Sequence, residues 1–352
     1  MTMHTTQSTR ATRARKAFSL IELLVVIAVI GIVIGIIVPT LGGARNTAKA
    51  ASTKAQLNEI GNASQQYYND QQRWPGYFTA KQMGVTENGT RGFSGMQNVM
   101  LDLAGGIVPS AGTGTNFVAV GPISGEEVIV DLTLIGTREG GGGYYTPDDN
   151  RFVAQLGSGV GFQQAETDNQ TLPSVVDSFG TPILAWQRDR TAIQPIEALD
   201  DFAQVASGGT KSARFYWNSN TGFLKTEELG KRGKNPTFGG ATGGREYSLL
   251  GDTEPDITEH MAVLLGAPTV PNTMPGAEAY PTAARGDLIF HSGGIDAMYM
   301  GSKDKGGRGT VRFWQSFYTD ASGSTRLADR DGKVETIDVL SNFDDMIQTA
   351  GN

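Results

Sequence analysis

The feature that most limits what this chain can become is an apolar run that opens at Phe18 and is closed by Pro39. From Phe18 to Val38 there are 21 residues, and only Ser19 and Glu22 interrupt the run. As a helix rising about 1.5 Å per residue it spans ~31 Å, close to the hydrocarbon thickness of a bilayer. A carboxylate inside such a segment costs roughly 2.5 kcal/mol or more, which makes Glu22 a functional residue by default. Ahead of it stand Arg10, Arg13, Arg15 and Lys16 with no acid among them. Those cations hold the N-terminus on the cytoplasmic side and send the C-terminal bulk outward. A secretory signal cut near Leu41-Gly42-Gly43-Ala44 fits the small residues there, but its apolar region would be overlong and would contain a Glu. A permanent anchor explains the hydrophobicity but not the placement of Phe18, Glu22 and Pro39. A buried core helix is seldom so long and so apolar all round.

The order of residues is a basic leader, the small Ala17, Phe18, the hydroxyl of Ser19, two aliphatics, Glu22, an apolar run and Pro39. This order resembles the N-terminus of type IV prepilins, a family that covers type IV pilins and the pseudopilins of type II secretion. The resemblance implies cleavage between Ala17 and Phe18 by a membrane aspartyl peptidase, then N-methylation of Phe18. It also makes Glu22 the acidic assembly position and Pro39 the helix-kinking proline. The residue before the cut is usually Gly in the family and is Ala17 here. The implied partners are the prepilin peptidase and methyltransferase, other pilin-like subunits, an inner-membrane assembly platform and membrane lipid. In a fibre, the Phe18 amine of a neighbouring subunit would neutralise Glu22, offsetting its burial and fixing register.

Composition narrows the rest. The 352 residues are 39% hydrophobic and 18% charged, with 47 Gly and 14 Pro, which fits a folded, loop-rich, partly β exported domain rather than a helical bundle. Removing the four leader cations from 29 leaves 25 basic residues against 36 acidic ones, a formal charge of about −11. No long basic stripe survives, so nucleic acid is not an expected partner. The absence of cysteine excludes a disulfide framework and any thiolate metal site.

Helical character continues past Pro39. Ala44, Ala48, Ala51 and Ala55 recur at spacings of four, three and four, with Leu41, Leu57, Ile60 and Tyr67 placed near the same face. Small alanines there would let another element approach closely. One helix from Phe18 to about Asp70 is expected, bent at Pro39 and ended by Asn69-Asp70-Gln71-Gln72 and Trp74-Pro75-Gly76. The Tyr-rich exit Tyr67-Tyr68-Asn69-Asp70 before Arg73-Trp74-Pro75 resembles that of major pseudopilins. Residues 76–175 read as a Gly-rich insertion with one clear strand, Glu127 to Ile135. The segment Asp177-Ser178-Phe179-Gly180-Thr181-Pro182 is similar to the Asp-aromatic-Gly-x-Pro turn that introduces the pseudopilin sheet. Further strands are expected at Ile183 to Trp186, Ala213 to Trp217, Asp287 to Phe290, Asp296 to Met300, Val311 to Tyr318 and Lys333 to Leu340. The fold class is therefore α+β: a long N-terminal helix, transmembrane in its first half, packed on an antiparallel pilin-like head with large Gly-rich insertions. The expected divisions are a leader at 1–17, the assembly helix at 18–72 and the head at 73–352.

Calcium is the best chemical candidate in the head, because the loop after the Ser292-Gly293-Gly294 turn is acidic in related pseudopilins. Asp296, Asp304, Asp329 and Asp331 lie in or beside Gly-rich loops, and hard oxygen ligands on loops suit this ion. Asp329-Arg330-Asp331-Gly332-Lys333 looks like the middle of an EF-hand loop. Leu327 takes its first ligand position, however, and Asp338 would replace its last Glu. A solvated acidic turn is the competing reading. Ser292, His291 and Asp296 invite a hydrolytic triad, but neighbours at a strand end point to opposite faces. His260 beside Glu259 has no second His at zinc spacing. No active site is assigned. The expected function is that of a pilin-like subunit, a type II secretion pseudopilin before a type IV pilus subunit. The contrasting reading is an anchored extracytoplasmic binding module or enzyme that uses the leader for targeting only.

Overall fold

The computed structural model describes residues 19–148, 150–153, 172–191, 203–204, 214–224, 248–251, 257–267, 283–302, 304 and 338–351. The chain divides into two compact units, residues 1–48 and 49–352. Helix α1, Leu20–Gln71, contributes to both.

In the first unit α1 is exposed all round. Leu20, Ile21, Leu24, Ile30 and Ile36 all face outward, and the helix is long and apolar enough to cross a membrane by length and composition. It runs through Pro39 as continuous helix. Proline cannot donate to the preceding turn. Beside it, the Thr40 hydroxyl donates to the Ile37 carbonyl at 2.8 Å, which ties the chain back to that turn.

In the second unit α1 becomes one-sided. Thr53, Gln56, Leu57, Ile60, Ala63, Ser64 and Tyr67 are buried, all within one face at 3.6 residues per turn. This corrects the expected packing stripe: Ala44, Ala48, Ala51 and Ala55 are exposed. They lie about half a turn away from Leu57 and Ile60, because steps of four, three and four keep the alanines together and the larger residues opposite them. The helix ends where the sequence indicates, with Gln72 in the left-handed region at φ 55 and its amide on the Tyr68 carbonyl.

Short helices α2 (Ala80–Met83), α3 (Asn88–Arg91) and α4 (Gly95–Leu103) follow, then β1 (Ile107–Val108), β2 (Phe117–Val120) and β3 (Val128–Asp131). The three strands form an antiparallel sheet in the order β1-β3-β2. The expected strand over 127–135 stops at Asp131. There the carboxylate accepts the Thr133 amide at 2.9 Å and hydroxyl at 2.7 Å, and Leu134 closes back on the Asp131 carbonyl, so 132–135 turns. Next come β4 (Phe152–Val153), β5 (Ser174–Val175), β6 (Leu184–Gln187), β7 (Ala203–Gln204), β8 (Arg214–Phe215), α5 (Thr221–Leu224) and α6 (Ile257–Leu265). The last strands are β9 (Leu288–Ser292) and β10 (Met346–Ala350).

The main sheet is antiparallel in the order β10-β9-β6. Its alternation serves two cores at once. Ala185, Leu288 and Phe290 pack with Leu57, Ile60 and Tyr67 of α1 and with Met96, Val99 and Leu103 of α4. Leu184, Trp186 and Ile289 pack the other way, with Phe215, Phe223, Met261, Leu264 and Tyr299. Three further expected strands are corrected. Residues 296–300 are turns, because Asp296 Oδ1 accepts the Met298 amide and both Ala297 and Met300 have positive φ. Of the Ala213–Trp217 expectation only β8 forms a strand, and Trp217 begins a 3₁₀ turn. The stretch 339–340 is also 3₁₀ rather than strand, capped by Asp338. Residues 311–318 and 333–337 lie outside the described residues.

Helix α4 sits hard against β6. A Cβ on Gly95 would lie 2.1 Å from the Ala185 carbonyl oxygen, and the Gly95 amide donates to Asn220 at 3.3 Å. Gly95→Ala must push helix and strand apart and is expected to cost about 1–3 kcal/mol, read as a lowered Tm. Gly31→Ala, with nothing within 4 Å, is the control and leaves Tm unchanged.

Candidate functional site

Two places carry chemistry. At the head of α1 the Glu22 carboxylate accepts the Ser19 amide at 2.8 Å, while the Ser19 hydroxyl accepts the Ile21 amide at 3.3 Å. Both bonds cap the first turn, although the Ser19 hydroxyl takes the Ile21 amide and not that of Glu22, and the acid stands where the helix dipole favours it. The two residues of the expected cleavage point, Ala17 and Phe18, lie outside the described residues. Glu22 is exposed, as are Gly31 and Gly35 one turn apart in the apolar run.

The second place is the loop after β9. Ser292 ends the strand, Gly293 and Gly294 turn it, and Gly294 takes φ 68 with the Asp344 backbone so close that no side chain fits. Asp344 then fixes the next two residues, its Oδ2 accepting the Ile295 amide at 2.7 Å and the Asp296 amide at 3.1 Å. As a result, one oxygen from each of Asp296, Asp304 and Asp344 lies within 4.8 Å of the others, all three residues half-buried. The sequence points to Asp296 and Asp304 but not to Asp344, which arrives from just ahead of β10 in a separate stretch of chain. Asp329 and Asp331 lie outside the described residues. Asp338 is engaged elsewhere, holding Arg285 through two contacts of 2.8 Å. Three close carboxylates repel unless a proton or cation joins them. Hard oxygens at this spacing suit a calcium-like ion, for which these side chains would supply part of the coordination.

Beneath the loop are buried groups whose partners differ from those their sequence positions suggest. Ser292 donates to Asp177 at 2.5 Å, and His291 Nε2 pairs with Asp345. Asp345 also receives the Met300 amide at 2.9 Å. Ser292, His291 and Asp296 therefore go to three separate partners and do not assemble as a triad. His260 Nδ1 meets the Leu249 carbonyl at 2.8 Å. Tyr299 is fully enclosed, its hydroxyl donating to the Pro182 carbonyl at 2.6 Å, and burial raises its pKa well above the ordinary phenol value.

Asp177 anchors the turn that enters the sheet. Its Oδ1 accepts the Phe179 amide at 2.8 Å and the Thr181 amide at 2.9 Å. Burial pushes the carboxyl above the ordinary carboxylate range, while the Ser292 hydroxyl and the turn amides pull it back in part. A carboxyl raised in this way stabilises the fold fully below its unfolded pKa, about 3.9. The contribution is lost as pH rises through the folded value. Asp177→Asn keeps the acceptor and removes the titration. The Tm difference, wild type minus variant, is therefore expected to fall as pH rises from about 3.5 towards neutrality. A pH-independent difference in thermal melts would contradict the assignment.

Comparison with known proteins adds one match. Residues 12–38 fit the prokaryotic N-terminal methylation motif, which supports a type IV prepilin-like family. No curated protein and no solved structure matches the chain.

Proposed function

We propose that this chain is a structural subunit that is cut between Ala17 and Phe18, N-methylated on Phe18 and polymerised through α1 into a fibre. The observation that carries the reading is the methylation motif over residues 12–38, with Glu22 as the one acid in the apolar, fully exposed half of α1. The family that bears this motif is structural rather than enzymatic. An exposed apolar helix needs either lipid or other copies of itself, and a membrane supplies the first before a fibre supplies the second. The setting we infer is a bacterial inner membrane crossed once, with the head outside the cytoplasm, and an assembly platform that draws subunits from it.

Among fibres of this kind we favour the type II secretion pseudopilus over a surface type IV pilus. Support comes from the Asp177–Pro182 turn entering β6 and from the acidic loop after Ser292-Gly293-Gly294. In the same reading Asp296, Asp304 and Asp344 hold calcium and stiffen that loop. Residues 76–175 are then an enlargement of the head, although α4 within them shares a core with α1. The anchored-module alternative differs by one property, the absence of polymer.

Three measurements test this. Intact mass of the mature chain is expected to give a start at N-methylated Phe18; a start near Gly43 or a retained leader overturns the processing step. Glu22→Ala is expected to insert more easily by roughly 2–3 kcal/mol and to be cleaved, yet to leave a neighbour's Phe18 amine unpaired in the fibre. Fractionation should then show normal or raised processed protein while cross-linking shows few polymers, and unchanged polymer would favour the anchored module. Chelator is expected to lower Tm, since an ion bound only to the folded state at a hundredfold excess over Kd contributes ~2.7 kcal/mol. Identical melts in calcium and chelator remove the ion from the proposal.

A further inference from the structure

The turn Asp177–Pro182 is gripped from two sides. On one side stand Thr53 and Gln56 of α1, both buried. Thr53 Oγ1 accepts the Ser178 amide at 3.1 Å, and Gln56 Nε2 donates to the Val176 carbonyl at 3.1 Å. On the other side the carboxylate loop is tied at both of its ends to both ends of the turn. Ser292 donates to Asp177 at 2.5 Å and Tyr299 donates to the Pro182 carbonyl at 2.6 Å. The Ser292 hydroxyl also accepts the Gly294 amide at 3.3 Å, so this tie reaches into the loop itself. The turn between the two grips is closed on itself. The Asp177 amide donates to the Thr181 carbonyl at 2.8 Å, and the Gly180 amide donates to the Asp177 carbonyl at 3.0 Å. Thr53, Asp177, Thr181, Ser292 and Tyr299 are each no more than 2% exposed, so water does not readily replace a lost partner. A shift on one side is passed across rather than absorbed, because packed, hydrogen-bonded interiors do not deform continuously.

We propose that this turn is a positioning link that makes the order of the 293–300 loop depend on the seating of α1, and the seating of α1 depend on the loop. Thr53 and Ser292 are its two contact points. The link works in both directions, as any coupling between two equilibria must. It requires only the protein's own groups and stands apart from the question of a bound cation. For a subunit whose helix is its assembly element, such a link lets the state of a head loop reach the helix.

Hydrogen–deuterium exchange with mass spectrometry on the full chain in detergent micelles, with chelator present throughout, reads both ends. Thr53→Val keeps the shape and deletes the acceptor for Ser178. It is expected to speed exchange of the 293–300 peptide about tenfold, the factor set by one lost buried hydrogen bond. The peptide covering β2 and β3 is expected to stay at its wild-type rate, and Thr53→Ser to restore the loop. In the reverse direction Ser292→Ala is expected to speed exchange of the 49–60 peptide of α1 to a similar degree. Faster exchange confined to 176–182 in Thr53→Val overturns the link, and so does a uniform increase that includes β2 and β3. Should Thr53→Val fail to fold, Ser292→Ala decides alone: an unchanged 49–60 peptide overturns the proposal.

Discussion

A single helix that must satisfy two different solvents sets the terms for the rest of this molecule. Up to Val38 the residues of α1 are exposed and almost uniformly apolar, which is stable only where lipid or a like helix surrounds them. From Thr53 onward the same helix hides one face and leaves the other to water. Among the described residues, most of the head's contacts with α1 gather on or beside that face. Gly61 lets Gln348 of β10 come within 3.0 Å of where a side chain would begin. Arg151 reaches back to Gln56 at 3.1 Å and Ser52 at 2.6 Å.

The main sheet extends that constraint. Because β6 and β9 alternate between two cores, neither face is free to carry polar residues, and polar groups collect at strand ends. Asp177, Ser292, His291 and Asp345 are all found there, each with a partner of its own. Enclosing these four side chains is tolerable because each keeps at least one hydrogen bond, although His291 Nδ1 has no partner among the described residues, and the bonds fix the turn and loop in one arrangement. The three-carboxylate loop is a consequence of the same geometry: Asp344 is brought to Asp296 by the register of β10 on β9, which pairs Met346 with Ser292.

Periodicity and turn chemistry place α1 to about Asp70, against an end at Gln71, and strands at Ile183 to Trp186 and Asp287 to Phe290, which form at Leu184–Gln187 and Leu288–Ser292. Other elements are hidden for identifiable reasons. Helix α4 is masked by the glycine-rich stretch around it. Yet Ser94 and Gln97 spell a capping box just before its apolar run, and each side chain caps the other's backbone as that motif requires. The alanine stripe misleads as a packing face, since Leu57 and Ile60 are near it in sequence but lie opposite it on the helix. Asp131 cuts β3 short through a local Asx turn that competes with the ladder, a signal present in the Asp-Leu-Thr order but weaker than the run of β-branched residues around it.

By itself the sequence determined what depends on order and spacing along the chain. That includes the apolar length, the acid at Glu22, the proline after Val38 and the amphipathic switch within α1. Their causes are local, acting through residues within a turn or two of one another. Only the tertiary structure decided which face of α1 the head covers, that Ser292 answers to Asp177 and His291 to Asp345, and that Asp344 completes a group with Asp296 and Asp304. Those pairings join residues 40 to 125 positions apart. No local pattern encodes them, because they depend on strand register and on the burial that excludes competing water.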